Sequence, residues 1–272
     1  MKIFILFAFM PLALHSYSQD YYDDMGILSY YQEFKEGSTQ RLYGDNVVLR
    51  KKPSKDGKAI DTLSIGSEVI ILQKSQERIT VNGKESKWYK VKSNKGTGYI
   101  AGRLIALDAL EHNNGLYLVI TAGPEDDQKF RIRYLKNGDY YGKEGALYTS
   151  AFQINVYDNK GLEAIEGIVT IDLFAEACGV DGGVTYIFND GEKLHNAIHC
   201  SSVADGGVFW FDEELEFPEE RGWGDHITYE REFGESVNEE LNITRAVKHS
   251  VTLEWTAEGF SPNVSELDFD EE

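Results

Sequence analysis

Two cysteines, six histidines and an excess of carboxylates are the side chains through which this 272-residue sequence could make or break bonds. A thiolate beside an imidazole is a nucleophile, and the pairs available for it are Cys200 with His226 or His249, or Cys178 in the same role. Such a thiol ordinarily opens a helix, whose N-terminal dipole favours the thiolate. Cys200 is followed by SSVADGGVFWF and Cys178 by GVDGGVTYIF, and both stretches read as turn and strand. Neither cysteine has the setting of a nucleophile. In an oxidising compartment the two are expected to form one disulfide, with two buried free thiols as the alternative.

His195 and His199 are four apart, as zinc-binding pairs are on a helix, but HNAIH lacks the glutamate that a zinc peptidase carries beside its first histidine. Their context is extended, and on a regular strand both would share one face. A surface metal site on that face is the alternative to the preferred reading of no metal. The acidic clusters Glu125-Asp126-Asp127, Asp212-Glu213-Glu214 and Glu219-Glu220 offer oxygens to Ca2+, but without EF-hand spacing they read as solvated loop charge. Carboxylates are too many for any pair to single out a glycosidase, and the sequence has neither a Gly-x-Ser-x-Gly elbow nor a P-loop. No catalytic residue and no cofactor is assigned, and the chain is read as a non-enzyme. Trp223, between Gly222 and Gly224, is the tryptophan of the acidic part most open to a ligand, because Trp210 and Trp255 lie in strand patterns.

The elements that would position these residues begin after an export signal. Lys2 and the apolar run Ile3–Leu14 have signal-peptide length, and Ser16 and Ser18 suit cleavage before Gln19. No cysteine stands near that junction for lipid attachment. Residues 1–18 are therefore excluded from the fold, and an extracytoplasmic location, periplasmic or secreted, is expected. Residues 19–40, rich in tyrosine and acid, read as a linker whose tyrosines pack on a neighbour.

Charge divides the rest. Residues 41–107 carry 14 basic and 6 acidic side chains, whereas residues 111–272 carry 11 basic and 34 acidic ones. The acidity of the second part argues against nucleic acid as its partner, since phosphates would be repelled. Residues 41–107 show five short strand patterns, from Val47–Leu49 to Gly98–Ile100, and Asn82-Gly83 marks a turn capping an extra ribbon. Residues 111–265 show longer strand patterns punctuated by Asn137-Gly138, Asp181-Gly182-Gly183 and Asp205-Gly206-Gly207. Residues 234–245 suit a short helix with Ser236 as N-cap and Glu239 as its box partner. The acidic tail 266–272 has too little apolar surface to hold itself down.

VLRKKPS (48–54), TLSIGSEVIIL (62–72), WYKVK (88–92) and GYIAGRL (98–104) stand in the order and spacing of bacterial Src-homology-3 domains, which residues 41–107 thus resemble. The resemblance implies a small barrel that targets or binds, commonly cell-wall peptide or glycan. The fold class expected is all-β, with a small SH3-like barrel followed by a larger antiparallel β-sandwich or barrel domain. Aromatic and basic groups near the barrel's loops are the candidate ligand contacts: Tyr43, Arg50, Trp88, Tyr89 and Tyr99, to which the acidic domain adds Trp223. A core position is the simpler role for Trp88. The function expected is that of an exported binding or adaptor protein whose partner is a cell-wall peptide, a glycan or an envelope protein, without membrane insertion after cleavage. The alternative is a cell-wall or glycan hydrolase with its site in the C-terminal domain.

Overall fold

The computed structural model describes residues 26–81, 84–175, 177–206, 208–222, 224–238 and 243–269, so the expected export signal, Asn82-Gly83, Trp223, Glu239 and residues 270–272 lie outside the described residues. Among the described residues the chain is all-β as expected, apart from a four-residue helix α1 (Pro218–Arg221) and two short 3-10 turns. Among the described residues no helix is long and apolar enough to cross a membrane.

A two-residue strand β1 (Leu28–Ser29) precedes the six strands of the first unit: β2 (Thr39–Arg41), β3 (Val47–Arg50), β4 (Ala59–Leu63), β5 (Glu68–Val81), β6 (Lys84–Ser93) and β7 (Gly96–Ala101). They form one curled antiparallel sheet in the order β2-β5-β6-β7-β3-β4. Alternation builds its core. Val47 and Leu49 of β3, Val69 and Ile71 of β5, Tyr89 and Val91 of β6 and Ile100 of β7 all point inward. Gly66 turns the chain into β5 with φ of +73°, a conformation that side chains disfavour. Strands β5 and β6 continue past the barrel to the pair Val81↔Lys84, which is the ribbon expected beneath Asn82-Gly83.

Three further sheets stack behind the barrel. The first contains β8 (Asp108–His112), β9 (Gly115–Ala122), β10 (Lys129–Lys136) and β11 (Asp139–Ala146) in the order β11-β10-β9-β8. The middle sheet contains β12 (Ala151–Tyr157), β13 (Gly167–Leu173), β14 (Gly183–Asn189) and β15 (Leu194–Cys200), with β1 added beside β12. The outer sheet runs β16 (Ser202–Asp205), β17 (Phe209–Glu216), β18 (Ile227–Asn238), β19 (Ile243–Thr256) and β20 (Gly259–Ser261) in sequence order. Asn137 and Gly138, both at positive φ, close the β10–β11 hairpin in the manner of a type I′ turn.

The sandwich therefore has three layers, and each inner sheet is covered on both faces. On β9, Tyr117 and Val119 face the middle sheet, while Leu118 and Ile120 face the barrel with Tyr43 and Ala106. On β13, Val169, Ile171 and Leu173 face the first sheet, while Ile168 joins Phe188, Phe217, Tyr229 and Leu253 against the outer sheet. Two-sided burial explains why LYLVITA and GIVTIDL are nearly unbroken apolar runs rather than alternating ones.

Three expectations are corrected. Residues 234–238 and 243–245 continue β18 and β19 instead of forming a helix, because Phe233↔Val247 and Ser236↔Thr244 pair across a long hairpin rich in β-branched residues. The expected linker is in part a strap. Tyr30 is buried in the core between the first and middle sheets, and Phe34 packs against the barrel core, so residues 28–41 tie two units together. The end of the chain is held down as far as Phe269, whose ring lies 6.1 Å from Tyr229 and 5.4 Å from His249.

Candidate binding cleft

Where the strap crosses from the middle sheet to the barrel it roofs a cleft of about 530 Å³. One wall is the β5–β6 ribbon and the turn after β7, supplying Arg78, Lys84, Tyr89 and Arg103. The opposite wall is Ile120 to Glu125 at the end of β9, and the strap itself contributes Tyr30 to Phe34. Each part is anchored. The Tyr30 hydroxyl donates to the Gly123 carbonyl at 2.5 Å. The Phe34 ring meets Tyr89 edge-on at 5.3 Å, and the Phe34 N–H donates to the Tyr89 hydroxyl at 3.4 Å.

Most charges lining the cleft are matched. Glu33 accepts from Lys87 at 2.7 Å and also from Lys74, and Arg78 pairs with Glu85. Burial would raise the Glu33 carboxyl, but the two lysines outweigh it and hold the group below its ordinary value. Arg103 directs its fork at Thr121, donating to the carbonyl and, at 3.4 Å, to Oγ1. Lys84 is the buried exception. Its Nζ is buried without a hydrogen-bond partner and sits 3.1 Å from the centroid of the Tyr30 ring. Burial, and then the nearby Arg103 charge, push this amine down to about 7, although Glu125 opposes the shift.

Of the described residues expected to bind ligand, Tyr89 alone lines this cleft. It is 3 % exposed, so it forms the floor and not a free stacking surface. Trp88 is a core residue at 4 % exposure. Tyr43 is buried against the first sheet, where Arg133 lies 4.3 Å over its ring and donates to its carbonyl at 2.7 Å. These two are corrected from ligand contacts to packing residues, because the barrel is covered on the side that Tyr43 faces. Arg50 and Tyr99 are cross-strand neighbours on the half-exposed face of β3 and β7, and Arg50 donates to the Gly57 carbonyl at 2.9 Å. Sequence reasoning missed Tyr30, Lys84 and Arg103. Lys84 follows the Asn82-Gly83 sequence signal and Arg103 belongs to GYIAGRL, so both had a local signal, but what closes over them comes from distant parts of the chain.

The remaining chemical candidates are dispersed. Between Tyr186 and Ile187 the β14–β15 register shifts by one residue, so His195 pairs with Phe188 and His199 with Thr185. The bulge puts the two imidazoles on opposite faces and removes the shared face that a metal site on β15 needs. His195 meets Asp190 at 2.6 Å and Trp255 edge-on, while His199 stacks on Tyr148 and bonds Thr185 and Asp181. The expected disulfide is absent as well: Cys178 is an exposed free thiol and Cys200 a buried one. Cys200 points into the core between the middle and outer sheets, and burial there raises its thiol far above the ordinary value, which disfavours a thiolate.

No curated protein and no solved structure matches the chain. One family does match, in the segment whose strands carry the barrel and the ribbon wall of the cleft. Residues 45–106 are a bacterial SH3 domain.

Proposed function

We propose that this chain is an exported, non-enzymatic binding protein that uses its SH3 domain, together with the strap and the first sheet, to hold a cell-envelope ligand of the wall peptide or glycan type. The observation that carries the reading is the cleft beside the SH3 domain. It has the volume of a small-ligand site, aromatic side chains in its roof and floor, and one buried amine left without a partner. Export rests on the apolar run Ile3–Leu14 and the small residues before Gln19. The wall ligand rests on the family, whose domains generally bind cell-wall components.

The test is co-sedimentation of the chain from Gln19 onward with purified peptidoglycan sacculi. Retention that soluble wall fragments compete away is the expected result. A protein left wholly in the supernatant sinks the wall-ligand reading, and release of soluble fragments from the sacculi sinks the non-enzymatic one.

A further inference from the structure

Lys84, the first residue of β6, sends its side chain under the strap, where Nζ has lost its water and gained no acceptor. An ammonium has three N–H donors, and burying them unmet is costly. The Tyr30 face at 3.1 Å supplies a cation–π contact in place of hydrogen bonds. Among the described residues no nearby carboxylate is placed to do better. Glu33 is held by Lys74 and Lys87, Glu85 is held by Arg78, and Glu125 acts on Lys84 only through its field. Arg103, whose fork is spent on Thr121, adds a second positive charge at the same end of the cleft. One anion would neutralise this end and satisfy the stranded donors.

We propose that the inner end of the cleft is a carboxylate subsite, in which the C-terminal carboxylate of a short extended peptide draws the Lys84 ammonium from the Tyr30 face and pairs with it beside Arg103. The preceding peptide residues lie along Tyr31 and Phe34 toward the open end. A charge-assisted hydrogen bond to a carboxylate is stronger than the cation–π contact that it replaces. The cleft volume of about 530 Å³ admits a few residues and no folded partner. Residues 30–34 and 120–125, which lie outside the SH3 segment, supply two of its walls, so the subsite belongs to the assembled chain and not to the domain by itself. The inference rests on the cleft being the ligand site and adds the chemical class of the ligand.

The experiment is isothermal titration of the chain from Gln19 onward with Ala-Ala-Ala as free acid, with its C-terminal amide, and with acetate, below pH 7 where Lys84 is charged. The free acid is expected to bind about tenfold tighter than the amide. The K84M variant, whose unbranched side chain is one atom shorter and carries no charge, is expected to bind the acid no better than the amide while melting at least as high as the parent. Equal binding of acid and amide, no binding of either, or an acid affinity unchanged in K84M overturns the subsite. Acetate binding as tightly as the tripeptide overturns the peptide in favour of a free small acid. Sacculi that retain K84M as well as the parent also defeat the subsite and leave the wall-binding reading intact. Lys84-dependent tripeptide binding without sacculus retention does the reverse.

Discussion

The Nζ of Lys84 lies 3.1 Å from the centroid of the Tyr30 ring, joining the SH3 domain's ribbon to the strap that crosses it. Both partners are anchored elsewhere, Tyr30 through its hydroxyl to Gly123 and Lys84 through the β5–β6 pairing, so the contact ties three parts of the chain together.

A desolvated amine makes stability depend on pH. Lys84 titrates near 7 in the folded protein against 10.5 when unfolded. Between these values the unfolded chain binds the extra proton, so the stability contributed by this site rises with pH from 7 toward 10.5 and is lowest below 7, where the charge is buried in full. Lys84→Met removes that charge. Its advantage over the parent is about 1 kcal/mol at pH 6, allowing for screening in a partly open cleft, and it shrinks above pH 8. Paired denaturant titrations at the two pH values read the difference. A constant gap would mean that Lys84 is not the titrating group.

Glu33 and Phe34 hold the strap to the barrel by different means and should fail differently. The ion pairs of Glu33 are exposed, so Glu33→Gln costs roughly 0.5 kcal/mol. Its lowered carboxyl stabilises above pH 4.5, the unfolded value, and that contribution is lost as pH falls through the lower folded value. Phe34→Ala removes apolar contact with Tyr89 and the barrel core and costs about 2 kcal/mol. Hydrogen exchange of the backbone around Gly37, whose N–H donates to the Ile71 carbonyl at 2.8 Å, reports strap release in both variants.

How much of this was legible beforehand depended on whether a signal was local. Strands β9 and β13 announce themselves through their apolar content and β19 through the alternation of Val251, Leu253 and Trp255, and the SH3 motifs place the barrel to within a few residues. The strand DYYGKEGA was missed because its residues are mostly exposed and its two glycines weaken any strand signal; it is held by register with β10 across the Asn137-Gly138 turn. The bulge that separates His195 from His199 leaves no mark in HNAIH, since it arises from pairing with β14. The cleft was illegible for a similar reason. Lys84 resembles any other ribbon lysine until residues some fifty positions earlier close over it, and burial is a property of the assembled fold.

The two thiols differ enough to be told apart by reactivity. Cys178 is exposed and is expected to react with a maleimide in the native protein, while Cys200, buried among Phe188, Leu215 and Phe217, reacts only on unfolding. Mass spectrometry before and after denaturant should count one label and then two. Two labels in the native state would contradict the packing of the middle sheet on the outer one, and none after unfolding would restore the disulfide.

The barrel and the first sheet carry opposite net charge, yet what joins them is apolar. Leu118 is fully buried and Ile120 nearly so, packed with Tyr43 and Ala106, and the Arg41–Glu111 ion pair at 3.4 Å lies at the exposed rim. Screening by about 1 M salt should therefore leave the two units unfolding together, because exposed pairs contribute little and apolar burial is not screened. Leu118→Asp should uncouple them, since it buries an unpaired carboxylate in the apolar junction, at a cost of about 3 kcal/mol or more. Differential scanning calorimetry distinguishes the cases. One transition that persists in salt and splits in two in L118D supports an apolar junction, whereas a parent protein whose transition splits in salt alone would show that charge holds the barrel in place.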